Sequence, residues 1–531
     1  MGGLEPHCFG SRFLHCITMG WKDLYELSPQ MTAAEIRFER KKRLIGLFLG
    51  PLCFVVAWFW PPLPHVNELG MRALAIFLWA VVWWITEAVP IPVTSILVMP
   101  LTVVCGLFPF ERAFGFWAHW TNLFLIGAFI IGAVMEQHGL TKRVSLALVA
   151  SRLVGGDPWR LLVFFLLANI ITGAFTSNTV DALLYMSVGI GLLKTLKIEP
   201  GSGFGTAMFL GIAWATNIGG KLTPSGSVPN MVAIALANSA GYRVGYLQWF
   251  LANVTFTALQ TCAMLLILRS FLSPKDRAFR VETDLVKQEL RKLGPFSRGE
   301  KIACAALGTA LVLWTLPDVA PMVLGRAHPV SVWLTARLNW GVVALLVGCS
   351  LFVTPIDWAA RRFAITWDEA VKNIEWGTLA LVAGSLVVGE LIANKDVGLG
   401  GLLSAGISSI ADSRPPQYLL ILGIIVATTV LAQVTSGVAI VSAMGPIALV
   451  VAPSLELNPI ALLVTISLAA NMGYTLPSST PPNAIVFASG YVRIGPMFMR
   501  GAVLAIAGII LLSFTGYTMA NWVFPWTPPG G

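Results

Sequence analysis

Apolar runs of about 20 residues follow one another from Leu44 onward, the length a helix needs to cross the hydrocarbon of a bilayer. No water is present there to satisfy the backbone, so a crossing run must be a helix that bonds within itself. Composition agrees, with 56% of the 531 residues hydrophobic and only 11% charged, where soluble domains run near 25% charged. Together these exclude a soluble enzyme, a disordered chain and a disulfide-built secreted module. A transmembrane barrel is excluded too, because its apolar signal is weak and alternating. The expected class is an all-α polytopic membrane protein.

The seven cysteines are scattered without a CxxC pair, and the six histidines form no HExxH motif. They point to no metal centre, and no nucleophile with a histidine partner appears, so an enzyme embedded in the bilayer is not expected. The net charge of +9 reads as topology and not as nucleic-acid binding, because the basic residues sit in short loops. Spans are expected near 44–62, 70–89, 92–108, 119–140, 204–236, 246–272, 301–317, 339–355, 376–393, 456–488 and 497–524. The stretches 159–194 and 416–452 are too long for one straight crossing, and small polar residues interrupt both, as in a hairpin that enters and leaves on one side. With the N-terminus inside and both stretches re-entrant, most of the 35 lysines and arginines face the cytoplasm. Making either a full crossing inverts every later loop and spoils that asymmetry. The expectation is therefore about eleven transmembrane helices plus two re-entrant hairpins, with the C-terminus extracytoplasmic. The first 30 residues lack a signal-peptide core, and Met19 and Met31 are alternative starts.

The two halves resemble each other at a near-constant offset of about 255 residues, the mark of a repeat-built transporter. Gly127 and Gly132 match Gly384 and Gly389. Ser177-Asn178-Thr179 matches Ser436-Gly437-Val438. Gly226-Ser227-Val228-Pro229-Asn230 matches Ser479-Thr480-Pro481-Pro482-Asn483. One repeat starts outside and the other inside, so the repeat is inverted. The expected divisions are 1–43, a cytoplasmic segment; 44–118, scaffold helices; and 119–272, the first repeat, with its tip at 177–179. Then come 273–301, a charged cytoplasmic linker; 302–375, scaffold helices; 376–524, the second repeat, with its tip at 435–438; and 525–531, an extracytoplasmic tail.

Each repeat supplies a hairpin tip and a broken crossing, the latter from Asn217 to Asn230 or from Pro477 to Asn483. Glycine and proline stop the helix there. The half-helix N-termini then present free N–H groups and positive dipole ends, which suit a carboxylate. Unwound carbonyls and Ser, Thr and Asn oxygens suit a small hard cation. An oxyanion with a cation partner is the expected cargo.

At these residues the chain resembles the divalent anion/sodium symporter family, carriers of di- and tricarboxylates such as citrate, or of sulfate. The resemblance covers about residues 40–525. It rests on Trp83-Trp84-Ile85-Thr86-Glu87-Ala88-Val89-Pro90-Ile91-Pro92, on the first tip, and on Thr480-Pro481-Pro482-Asn483-Ala484-Ile485-Val486-Phe487. It implies a homodimer with a scaffold and a mobile transport domain that moves as an elevator. Carried over, Asn178, Thr179, Ser227, Gly437, Val438, Thr480 and Pro481 would contact substrate. Ser177, Asn178 and the Gly226 carbonyl would line a first Na⁺ site, with Thr435 and Ser479 at a second.

Several positions depart from the family. Gly437 stands where the second tip normally carries Asn, and Gly173 and Ala432 replace hydroxyls four residues before each tip. Three oxygen ligands for Na⁺ are thus lost. Lys221, inside the first broken crossing, is an intramembrane charge and so a functional candidate. It is expected at the substrate, standing in for a lost sodium. Asp181 is expected to pair with Lys221 or to carry a proton. The resulting expectation is a secondary carrier of small di- or tricarboxylates with weakened Na⁺ dependence, working as an exchanger. The alternatives are an ordinary Na⁺-coupled dicarboxylate symporter and a sulfate carrier. The expected location is a bacterial inner membrane.

Overall fold

A computed structural model describes residues 33–63, 66–196, 198–199, 201–273, 283–394, 396–402 and 416–526. Most of the expected N-terminal segment, both alternative starts, part of the charged linker and most of the C-terminal tail lie outside these residues.

Seven helices are long and apolar enough to cross a membrane, and the pair Pro329–Arg337 and Trp340–Ser350, bent by 72°, makes an eighth if taken as one span. The expected eleven crossings also counted Ile91–Val104 and the two broken crossings, whose helices are too short to pass that test singly. Large apolar side chains such as Phe59, Leu266, Met322 and Phe514 stand exposed on the outer helices, as lipid-facing positions require. The chain is a multi-pass helical membrane protein.

The structure differs from the sequence reading at several ends. The first long helix begins at Ala33, so the basic stretch up to Arg43 is helical and not a flanking loop. The expected span 339–355 is preceded by Pro329–Arg337, whose His328 cap and Pro329 start a separate helix. Two further short helices, Leu140–Val149 and Trp367–Asn373, escaped the reading because neither is long enough to bury a full apolar face.

The described part of the linker includes the helix Thr283–Lys292, and its end is tied down. Arg143 donates to the carbonyls of Leu293 and Gly294 and pairs with Glu300, Nε to Oε1 at 2.5 Å. Both side chains are buried. Arg143→Ala should therefore cost about 3–5 kcal/mol, because it leaves Glu300 buried without its counter-charge. A fall in the apparent Tm of the purified protein checks this.

Four interrupted stretches lie at the centre. The first hairpin is Pro158–Gly173 and Asn178–Thr195. Asp157 caps its first helix on Arg160 N, and Pro158 takes the first turn, where no N–H is needed. Side-chain contacts fix its antiparallel course: Asn169 and Thr172 both reach Asp181, and the rings of Phe165 and Tyr185 stack edge to face at 5.2 Å. The second tip joins Gln417–Leu431 to Gly437–Val451. The broken stretches are Gly203–Gly219 with Val228–Ser239, and Pro459–Ala470 with Pro481–Ala488. Nearly every residue of Gly203–Gly219 and Pro459–Ala470 is buried, so the interrupted backbone is covered by protein, the condition under which it is tolerated at membrane depth.

The two halves are built alike at their breaks. A single 3₁₀ turn occupies each, Pro224–Gly226 and Pro477–Ser479. The residue after each turn has nearly the same backbone angles, φ −150° and ψ 141° at Ser227, φ −148° and ψ 152° at Thr480. Asn230 donates to the carbonyls of Gly220 and Thr223, and Asn483 donates to those of Gly473 and Leu476. Each asparagine thus closes its own unwound loop and satisfies carbonyls that the helix no longer pairs.

Candidate functional site

A cavity of about 340 Å³ lies where both tips and both breaks meet. Four helices start at its wall, at Asn178, Val228, Gly437 and Pro481. Their N-cap residues are Ser177, Ser227, Ser436 and Thr480, all hydroxyls of the kind that usually close a helix end. None of the four caps its own helix. The first-turn N–H groups therefore remain available at the cavity, and four positive dipole ends converge on it. That arrangement binds a small anion without a basic side chain.

The hydroxyls are used elsewhere. Ser227 Oγ donates to Asn471 Oδ1 at 2.6 Å, and Thr480 Oγ1 accepts from Asn217 Nδ2 at 3.0 Å. These bonds cross from one half to the other and hold the two breaks together. Ser177 Oγ donates to Glu375 Oε1, and Thr378 Oγ1 donates to Oε2 at 3.0 Å. Glu375 begins the helix Trp376–Ala393 and is the one charged residue on the cavity wall.

Of the residues expected at substrate, Asn178, Thr179, Ser227, Gly437, Val438, Thr480 and Pro481 all line this cavity. Lys221 does not. It is fully buried, and its Nζ donates to Gln260 Oε1 at 2.7 Å and to the Tyr474 hydroxyl at 2.8 Å, over the rings of Phe256 and Tyr474. The expected lysine charge at the substrate is thus replaced by a lysine between the first break, the helix Tyr246–Arg269 and the second break. The expected pairing with Asp181 is also corrected, since the partners of Asp181 are Asn169, Thr172, Thr176 and Thr216.

Among the residues expected at Na⁺, Ser177, Asn178, Gly226 and Ser479 reach the cavity wall. Asn178 Oδ1 is buried without a hydrogen-bond partner. A Cβ placed on Gly220 would lie 2.7 Å from that oxygen and 2.9 Å from the Gly226 carbonyl. Two oxygens thus converge on space left by a glycine, which fits a small cation. The second set is more dispersed. Thr435 Oγ1 donates to the Ile85 carbonyl at 3.1 Å, and Ser479 Oγ donates to the Gln433 carbonyl at 2.7 Å.

The Trp83–Pro92 motif acquires a position here. Glu87 ends the helix Glu68–Thr86 in the left-handed conformation, φ 53°. Trp84 Nε1 donates to Ser95 Oγ at 3.1 Å, Pro92 lines the cavity, and Ile85 holds the second tip through Thr435. Sequence reasoning missed Glu375, Thr378, Asn471 and Gln433. Gln433 accepts from the amides of Tyr474 and Thr475 and so pins the second break. Its signal was a lone amide in an apolar run just before a tip. Glu375 sat at the edge of an apolar run, where acids are ordinary.

The family described as sodium:sulfate symporter transmembrane region matches residues 41–526. A sodium-dependent dicarboxylate transporter, SdcS, of Staphylococcus saprophyticus is 28% identical over 486 residues, which are 90% of this chain and 91% of the relative. SdcS of Staphylococcus aureus is 28% identical over 490 residues with the same coverage. The crystal structure of the Alcanivorax borkumensis YdaH transporter covers 83% of this chain and 99% of that one, with a TM-score of 0.53 and 18% identity, a likeness of fold alone. A match over nearly the whole chain, with the family's motifs gathered round one cavity, means that this chain belongs to the sodium:sulfate symporter family, the divalent anion/sodium symporters, and is a membrane transporter and not an enzyme.

Proposed function

We propose that this chain is a secondary carrier of small dicarboxylate anions, with the 340 Å³ cavity as its binding site. The observation that carries the reading is the convergence of four uncapped helix N-termini on a wall free of basic side chains. Such a wall attracts an anion and can still release it, which a buried salt bridge would hinder. The sodium dependence in the names of the relatives supports a cation-coupled cycle, and the oxygens of Asn178 and Gly226 are where the first Na⁺ would sit. The exchanger reading leaned on a lysine charge at the substrate, and with Lys221 away from the cavity Na⁺-coupled symport is the better supported mode. Sulfate is the second substrate reading, supported by the description of the family.

The two tips and two breaks, tied to each other across the halves, would move as one body against the helices that carry Pro92 and Glu375. In this elevator reading the halves are inverted repeats, the protein is a homodimer, and the N-terminus faces the cytoplasm of a bacterial cell. Uptake of labelled succinate, citrate and sulfate into proteoliposomes tests the function. Each anion is offered with an inward Na⁺ gradient, without Na⁺, and with unlabelled anion preloaded. Na⁺-driven uptake of succinate is expected. Uptake that needs preload and ignores Na⁺ would restore the exchanger, and no uptake of any anion would overturn the reading.

Glu375 tests the site more finely. Its carboxylate occupies the tip hydroxyl and opposes an incoming anion. Glu375→Gln should lower the succinate KM by about 3- to 10-fold, the effect of about 1 kcal/mol of like-charge repulsion removed at a half-buried site. An unchanged KM would place the substrate away from Ser177.

A further inference from the structure

We propose that Asp181 carries one proton through each transport cycle; this rests on the anion-carrier reading above and adds to it a coupling ion. The carboxylate is fully buried in the first hairpin, just past the tip. Its Oδ2 accepts from Asn169 Nδ2 at 2.6 Å and from Thr216 Oγ1 at 3.2 Å. Its Oδ1 accepts from Thr172 Oγ1 at 2.7 Å, with Thr176 Oγ1 at 3.4 Å. All four partners are neutral, and among the described residues no basic side chain pairs with it.

The titratable surroundings are sparse. Tyr185, on the same helix, has its hydroxyl 3.2 Å from Thr172 Oγ1. The helices Gly203–Gly219 and Pro481–Ala488, which pack on this one, contain no charged residue. Arg160, at the far end of Pro158–Gly173, and Lys194, at the end of the helix of Asp181, are exposed. An ionised carboxylate so placed is costly, and such a group is stabilised by neutralisation.

The hydrogen count points to a proton. Each threonine has one hydrogen and a second acceptor for it: Ala168 O for Thr172 at 3.0 Å, Thr172 O for Thr176 at 2.9 Å, and Asn169 Oδ1 for Thr216 at 3.2 Å. With a proton on Asp181 Oδ1 donated to Thr172 Oγ1, every hydroxyl is free to serve a carbonyl and every donor is used. Without it, the carboxylate competes for hydrogens that those carbonyls also claim. Space is made by Gly173, where a Cβ would lie 3.1 Å from Asp181 Oδ2. The oxygen absent from position 173 is thus supplied from position 181, in a form that takes up H⁺.

A route is present. A cleft of about 30 Å³ is lined by Glu136, Val180 and Thr176, enough for a water. Thr176 joins it to Asp181. In the step, the carboxylate binds H⁺ to become the acid on one face of the membrane and returns it on the other, with no other bond made or broken.

The test uses the full-length protein in proteoliposomes, with equal Na⁺ on both sides and labelled succinate. An inside-alkaline gradient is set above neutral, where a dicarboxylate stays fully ionised. Wild-type uptake should rise with the gradient, up to roughly tenfold accumulation for a tenfold proton gradient and one proton per cycle, and a trapped pH dye should report acid entering with the anion. Asp181→Asn keeps the shape and the amide contacts; it should lose both responses while preloaded exchange of succinate persists. If wild-type protein exchanges anion but ignores the gradient, or the variant stays proton-coupled, the proposal is overturned and the carrier reading stands. If wild-type protein neither exchanges nor accumulates any anion tested, the carrier reading fails and this proposal with it. The wild-type arm decides even where the variant does not fold.

Discussion

Lys221→Ala will act on the stability of the protein and not on its cation requirement. The substitution removes a fully buried side chain whose Nζ serves Gln260 Oε1 and the Tyr474 hydroxyl and whose stem packs between Phe256 and Tyr474. It leaves a cavity and two acceptors without a donor. The cost should be about 3–5 kcal/mol, the range for emptying a core position of this size. Lys221→Met should recover most of it, because the volume is kept and a buried charge without a carboxylate partner is removed. The measurement is the apparent Tm of both variants beside the Na⁺ dependence of their uptake. A well-folded Lys221→Ala protein with an altered Na⁺ requirement would return the lysine charge to the substrate.

Gly437→Asn will impair transport and will not repair the second sodium site. The sequence presents Gly437 as a lost amide oxygen. In the structure the second tip touches the second break at this point: a Cβ on Gly437 would lie 2.3 Å from the Ala470 carbonyl oxygen and 3.0 Å from its carbon. Both are backbone atoms of a fully buried helix end, so they cannot swing aside. In the first half the side chain is on the tip, Asn178, and the glycine is opposite it, Gly220. In the second half the glycine is on the tip itself. Any side chain there must part the tip from the break, at a strain of about 1–3 kcal/mol or more. Because tip and break together form the cavity wall, a separation of this kind should lower kcat/KM by roughly tenfold or more, at 1.36 kcal/mol per decade. Gly437→Ala should show the same loss, since the clash is at Cβ. Equal uptake by wild type and Gly437→Ala would mean that the tip moves freely from Ala470.

Much of this could be read along the chain because membrane folding obeys a one-dimensional rule. An apolar run of a given length becomes a helix, and glycine, proline and small polar residues mark where it breaks. The tips at Ser177 and Ser436 and the breaks between Gly219 and Val228 and between Ala470 and Pro481 were legible on those grounds. So was the gathering of Asn178, Ser227 and Thr480, because a half-helix N-terminus must point its N–H groups at something.

What the chain could not state was which way a polar side chain turns once its helix is packed. Lys221 and Gly220 are neighbours, yet Gly220 faces the Asn178 oxygen while Lys221 is drawn out to Gln260 and Tyr474. Glu375 belongs to the cavity only because the first tip comes to rest on the helix that follows it, and Asp181 meets neutral threonines because hairpin pairing puts Asn169 and Thr172 opposite it. Hydrophobic length and helix-breaking residues are local, so the sequence alone determined the helical membrane class, the interruptions and an anion-attracting centre. The partners of a buried charge are set by elements far apart in the chain, so only the tertiary structure decided that the cavity holds a glutamate and no lysine.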